Sequence, residues 1–464
     1  MKTDSDILFH LEEKPPVAQS ITAAVQHVLA SFVGIITPTL VIGSTLGLQE
    51  EIPYLLSMAL IVSGISTFIQ VKGIGPVGSR LIAVQGTSFA FLGSLITVGF
   101  TVKNRGGSNE EIIAMLNGIC FFGAFIEIIL SQFIHKLRRI ITPLVTGIVI
   151  VTIGVSLIKV GMTDIAGGYG ADNFGAPSFL AIGFFVLLII IALNASSNNW
   201  LRLSSILIGM LVGSATGYYF GIFEFQGIAS ASTYVIPIPF KYGFAFDWQL
   251  FLPIAFIYLL TAIETSGDLT ANSLFCGLPI KGKSYIERIR NGVLADGVNS
   301  LIASVFCTFP NTTFGQNNAV IRLTGIASRY VGFFVAAIIL LLGFIPFIGN
   351  VLQQIPKPVL GGATLVMFAT VAVAGVNILA NIEFDRKKSL IIATSLGLGL
   401  GCMMVPNVLA KTPSIIQILF SSPVAIAGIT AIVMQLIFSD EKTFSGEKTE
   451  TEVLSNDIAV NSEK

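Results

Sequence analysis

The stretch TAIETSGDLTANS carries two carboxylates, Glu264 and Asp268, in a segment otherwise apolar enough to cross a bilayer. Their four-residue spacing puts both on one face of a helix, and Thr265, Ser266 and Gly267 between them are small enough to leave space for a ligand. A carboxylate inside an apolar span is expensive unless it is paired or wetted, so each one is a functional candidate by default. Asp296, in LADGVNS, is read at the opening of the next span beside Gly297. It is either a working carboxylate or a hydrogen-bond acceptor for its neighbours. His27 reads more simply as a satisfied interior histidine than as a proton carrier, and Glu127 has no partner that the sequence names.

A second polar concentration runs from Thr308 to Gly325, TFPNTTFGQNNAVIRLTG. An ionised Glu accepts two N–H bonds, while Gln offers one acceptor and two donors. Glu264 and Gln316 facing each other across a cavity would match a flat heterocycle with adjacent N–H and C=O groups, and Phe89 and Phe91 in GTSFAFLG would supply a stacking face. That chemistry suits a nucleobase better than a sugar or an inorganic anion. The bland alternative is that Ser, Thr and Asn here only hold helices together.

These residues need a membrane scaffold. With 53% hydrophobic residues, 11% charged residues and a mean hydropathy of +0.84 over 464 residues, the chain is a polytopic membrane protein with no room for a sizeable soluble domain. Hydropathy places seven spans between 18 and 221 and seven between 248 and 438, split by a linker at 222–247. An odd number per half makes the halves enter the membrane from opposite sides, as an inverted repeat. The third span of each half, GPVGSRLIAVQGTSFAFLG and TFPNTTFGQNNAVIRLTG, is interrupted by Gly, Pro and polar residues. Matching interruptions point to a midplane binding site, because unwound backbone is tolerated there only where protein or a polar cavity satisfies it. Helix glue does not require two matching breaks.

Charge distribution sets orientation. Fifteen lysines and arginines, including Lys136, Arg138 and Arg139, fall in loops on the side of the N-terminus, against Lys103, Arg105, Lys241, Lys357 and Lys411 on the other side, which puts both termini in the cytoplasm. Zero net charge leaves no basic surface for nucleic acid. Cys120, Cys276, Cys307 and Cys402 show neither a CxxC pair nor metal-ligand spacing and read as small interior residues, so no metal or cofactor is expected. HExxH, GxSxG and Asp-rich phosphate motifs are absent from the sequence, so an enzyme is not expected. The N-terminus does not read as a cleaved signal peptide, and the polar tail 439–464 is expected to be disordered.

The chain resembles the nucleobase–ascorbate transporter family, also called the xanthine/uracil permeases, and most of all its bacterial xanthine and urate branch. QNNAVIRLTG, Gln316 to Gly325, is similar to the family signature, and AIETSGDLTA, QHVLASFVGIITP, GPVGSRLIAVQGTSF and RIITPLVTG are similar to family segments in the right order. The resemblance covers about residues 9–438. It implies an all-α polytopic membrane protein of fourteen transmembrane segments in two inverted seven-span repeats, with short extended strands in broken spans three and ten. The implied organisation is a cytoplasmic segment 1–17, core-domain spans in 18–134 and 248–348, gate-domain spans in 143–221 and 359–438, and the tail 439–464.

By the same resemblance Glu264 holds the base and Gln316 pairs with it, with Phe89, Ala90 and Asn317 at the substrate site. Asp296 would be tied to coupling, with Asp268 and His27 in support. Three positions depart from the pattern: Ala319 replaces a signature Gly and asks for slightly wider helix spacing, Arg322 stands where Gln is frequent, and Ala90 replaces a polar residue. The implied function is proton-coupled symport of a purine, xanthine or urate, across the bacterial inner membrane, by a homodimer contacting through the gate domain amid membrane lipid. Gly361, Gly362, Gly375 and Gly428 are the small residues offered for that contact. An anion transporter of the sulfate or bicarbonate type, with the same seven-plus-seven layout, is the alternative.

Overall fold

The computed structural model describes residues 7–134, 142–224, 235–409, 411–412, 420 and 422–438. Lys136, Arg138, Arg139, the start of RIITPLVTG, much of the linker, the first part of the expected last span and the tail 439–464 lie outside the described residues. Among those described, seven helices are long and apolar enough to cross a membrane, or eight if one bent pair counts as a span.

The first half runs α1 (Val17–Leu46), α2 (Ile52–Lys72), strand β1 (Gln85–Thr87), a 3₁₀ turn (Phe89–Phe91), α3 (Leu92–Asn104), α4 (Asn109–Gln132), α5 (Pro143–Ile165), α6 (Pro177–Asn194), the short α7 (Asn199–Leu203) and α8 (Ser205–Tyr219). The second runs α9 (Trp248–Phe275), α10 (Lys283–Val305), strand β2 (Asn311–Thr313), α11 (Asn317–Thr324), α12 (Arg329–Gly343), α13 (Pro346–Gln353), α14 (Lys357–Ala380), α15 (Arg386–Met404) and α16 (Pro423–Phe438). Local chemistry sets many of these ends. Gly47 takes the left-handed conformation and its N–H caps α1 on the Gly43 carbonyl. Ser108 and Glu111 close a capping box at the start of α4. Pro346, which cannot continue a hydrogen-bonded turn, stands where α12 gives way to α13 through a 75° bend.

At the centre, β1 and β2 pair antiparallel, with Gln85 opposite Thr313, Gly86 opposite Thr312 and Thr87 opposite Asn311. Each strand follows a non-glycine residue in the left-handed region, Arg80 at φ 61° and Cys307 at φ 60°. The strands exchange backbone hydrogen bonds with each other, and every residue of both is buried. Around them α2 packs on α12 and α4 on α10; away from them α5 packs on α14, and α6 on both α14 and α8. Glycine makes the closest of these contacts possible: a Cβ on Gly64 would lie 2.7 Å from the Leu340 amide nitrogen.

Three expectations change here. Asp296 lies in the middle of α10, not at its opening, because the charged run from Lys283 to Arg290 is helical although hydropathy excludes it from the span. Ala319 is exposed, so no neighbouring helix has to move aside for its methyl group. The four glycines offered for subunit contact face neighbours within the chain: Gly361 meets the Asp164–Ile165 backbone, Gly362 meets Gly183, Gly375 meets Val151, and Gly428 meets Phe256. Small residues permit close approach wherever it occurs, and here it occurs inside one subunit. Of the cysteines, Cys120, Cys276 and Cys307 are buried, whereas Cys402 is only partly covered.

Candidate functional site

The carboxylate turn of α9 lies against the second break. Thr265 touches Thr312 of β2, hydroxyl to hydroxyl at 3.2 Å, and the Asp268 carboxylate sits directly against Gly315, whose missing side chain makes the room. One residue further on, Gln316 is exposed, and its amide lies beside Gly34 of α1. Glu264 and Asp268 are half-buried on the same helix face, separated by the exposed Gly267. The side chains of Glu264, Asp268 and Gln316 make no hydrogen bond to any described residue.

Their neighbours are tied down. Asp296 is fully buried and accepts from the Thr265 hydroxyl at 2.6 Å, the Thr313 amide at 2.9 Å, the Thr313 hydroxyl at 3.2 Å and the Gln70 side-chain amide at 3.1 Å. The Gln85 side-chain amide completes the network by donating to the Thr313 hydroxyl at 2.8 Å. This centre locks α2, α9, α10 and both strands together. Hydropathy overlooked Gln70, Gln85, Thr265 and Thr313 as an Asp296 shell; a lone Gln within the apolar α2 was the signal available.

A similar frame supports Asn317 and Asn318. The Asn317 amide donates both to His27 Nδ1 and to the His27 carbonyl, each at 3.1 Å, so His27 is an interior partner that fixes α1 against α11. Its Nε2 is buried and without a partner among the described residues. Asn318 accepts from Asn272 at 2.8 Å and donates to the Asp268 carbonyl at 3.2 Å, holding α11 on α9. Arg322, exposed, lies with its guanidinium carbon 5.2 Å from the Phe275 ring centroid. Glu127 gains a partner that the sequence did not name, the Thr261 hydroxyl at 3.4 Å.

The aromatic pair divides. Phe91 is buried against Tyr258, with ring centroids 4.6 Å apart, and offers no free face for stacking. Phe89 is half-buried and meets Phe368 of α14 edge-on at 5.9 Å, and the buried Ala90 lies between the two phenylalanines. Phe89 and Ala90 border a cavity of about 500 Å³ that reaches α5 and the end of α15; Glu264 and Gln316 do not line it. Glu264 instead borders a much smaller recess against Val145, Thr146 and Val149 of α5. The structure thus sets Glu264 and Asp268 one turn apart on α9, with Asp268 against Gly315 and Gln316 the next residue along, and places Phe89 and Ala90 on a separate cavity.

Comparison with known proteins places this arrangement. The permease family model for xanthine/uracil permeases matches residues 18–408. The chain is 45% identical to the xanthine permease XanP of Escherichia coli over 95% of this chain and 96% of that one. Identity is 43% to the xanthine permease XanQ of Escherichia coli, over 93% and 94% of the two chains, and 32% to the uric acid permease PucJ of Bacillus subtilis, over 95% and 98%. Among solved structures, the transmembrane domain of the cyanobacterial bicarbonate transporter BicA superposes with a TM-score of 0.57 at 15% identity, covering 88% of this chain and 99% of that one. Murine Slc26a9 in its inward-facing state gives 0.57 at 13% identity, covering 92% of this chain and 69% of that one. These two share the fold alone. The chain is a multi-pass membrane permease, not an enzyme, and belongs to the nucleobase–ascorbate transporter family of xanthine/uracil permeases.

Proposed function

We propose that this permease imports a purine base, xanthine or urate, by alternating access and in symport with protons. One observation carries the reading: the side chains of Glu264 and Asp268 on α9 and of Gln316 in the turn after β2 have no hydrogen-bond partner among the described residues, beside an Asp296 centre in which both carboxylate oxygens are satisfied. Polar groups placed at membrane depth and left unpaired by the protein are available to a ligand. Glu264 accepts the N–H groups of the base, Gln316 pairs with an N–H/C=O edge, Asn317 holds the α11 start in register, and Phe89 and Ala90 meet the substrate from the neighbouring cavity that they border. The relatives named for xanthine and uric acid support this substrate class.

The broader frame belongs to the same proposal. Fourteen spans form two inverted sevens. A core domain, residues 18–134 and 248–348, carries the paired strands, and a gate domain, residues 143–221 and 359–438, moves against it; the separate packing of α2 with α12 and of α5 with α14 supports that division. Both termini face the cytoplasm in a bacterial inner membrane. A carboxylate of the core domain, Asp296 or Glu264, carries the proton. The test is uptake of labelled xanthine and urate into vesicles containing the purified protein, with competition by a series of purines. Saturable uptake displaced by purines is expected, and uptake of sulfate or bicarbonate with no purine would overturn the reading.

A further inference from the structure

The cavity of about 500 Å³ beside Phe89 contains one charged side chain, Lys159 of α5. A lysine within an apolar helix is costly and marks either a route to the headgroups or a polar pathway. Lys159 is exposed, borders the cavity, and has no carboxylate within ion-pair distance among the described residues. Ser94, on the facing helix α3, also lines the cavity; it is 4% exposed and its hydroxyl has no partner among the described residues. The remaining walls are chiefly apolar, with Ile153, Leu157 and Val424 around these few polar groups. A mostly apolar concavity of this size with a few convergent polar groups suits a small planar ligand. Its floor is Phe89 and Ala90, in the turn that directly follows β1.

We propose that this cavity is a second purine station on the outer side of the central site, and that Lys159 makes it selective for purines carrying a negative charge. Resting on the purine reading above, the inference extends it to substrate choice. Urate is an anion at neutral pH, whereas xanthine is largely neutral near and below it. An unpaired ammonium therefore favours urate, with Ser94 as a hydrogen-bonding partner and Phe89 as the aromatic wall. Attraction by an exposed cation is screened by salt, which gives the proposal a signature that packing alone would not produce.

The experiment measures kcat/KM for labelled urate and xanthine in vesicles containing the full chain, at low and high ionic strength, for wild type, Lys159→Gln and Lys159→Arg. Expected is a fall of about fivefold in the urate-to-xanthine ratio for Lys159→Gln, the order of one partly screened ion contact, with the ratio retained in Lys159→Arg. Wild-type urate uptake should weaken with salt more than xanthine uptake does. An unchanged ratio in Lys159→Gln, or equal salt dependence for the two bases in wild type, would overturn the station. The wild-type salt comparison decides the matter even where a variant fails to insert. Wild-type vesicles that carry neither base would instead overturn the purine reading itself, and the station with it.

Discussion

Glu264 and Asp296 lie on adjacent helices and have opposite surroundings. Four donor contacts from Thr265, Thr313 and Gln70 saturate Asp296, whereas the Glu264 side chain has none among the described residues and borders a small recess. In the proposed site Glu264 is therefore the residue whose loss the ligand should feel. Glu264→Ala is expected to abolish purine binding, because each ligand N–H left unpaired costs roughly 1–3 kcal/mol; near-normal affinity in a direct binding assay would place the site elsewhere. Asp296→Asn presents an amide N–H₂ to a shell in which the Thr313 N–H and the Gln70 amide can only donate, so its expression has to be measured beside its transport. The sequence made Glu264 and Asp268 conspicuous by charge and spacing. It concealed the setting of Asp296, because the donors come from three places far apart in the chain, and each is an unremarkable Thr or Gln. The Phe89–Phe91 pair divides for a local reason: in a 3₁₀ turn residues two apart point in different directions, so Phe89 borders the cavity while Phe91 packs on Tyr258.

Among the elements, the two breaks were the most legible, since Gly and Pro within apolar runs leave few alternatives. Less legible was which partner each helix would choose, because small residues advertise close approach without naming the neighbour. Gly64 and Gly397 separate the two situations. Gly64→Val forces a side chain into the Leu340 backbone and should lower stability by about 1–3 kcal/mol. At Gly397 no atom of another described segment lies within 4 Å of where a methyl group would stand, so Gly397→Ala should be neutral or stabilise by up to about 1 kcal/mol. Thermal unfolding in detergent checks both, and equal losses would refute the packing argument. The start of α9 gives a pH-dependent case. Asp247 caps it through the amides of Gln249 and Leu250 and pairs with Arg105 at 2.8 Å. Partial burial pushes its carboxyl up, but the Arg105 contact and the two amide bonds outweigh that and hold it below the usual carboxylate range. A carboxyl lowered on folding stabilises above its unfolded pKa and loses that contribution as pH falls through the folded one. Asp247→Ala should accordingly cost about 1 kcal/mol at neutral pH and progressively less in acid; a loss independent of pH would remove the charge from the explanation.

For the whole molecule, the proposed subunit contact through a gate domain cannot draw on Gly361, Gly362, Gly375 or Gly428, which are occupied within the chain. The outward apolar residues of α14 and α15, among them Val373, Val376 and Leu398, are the surface left for a partner or for lipid. Cross-linking between cysteines placed at Val376 is expected if two copies meet there, and a monomer both in native membranes and in gentle detergent would refute the dimer. Energy coupling joins every scale. Burial disfavours the charged form of a carboxylate, so one that alternates between two aqueous faces can bind a proton on one side and release it on the other. Linkage makes the effect reciprocal: a proton that tightens purine binding is itself held more tightly when purine is bound. Purine accumulation should then follow an inward proton gradient imposed across vesicles at constant Na⁺, and apparent purine affinity should rise as the outer pH is lowered. The same vesicles given an inward Na⁺ gradient at uniform pH should show equilibration without accumulation. Accumulation that follows Na⁺ and ignores pH would overturn proton coupling while leaving the proposed purine site intact, because recognition of the base by the hydrogen-bond pattern of Glu264 and Gln316 does not depend on which ion drives transport.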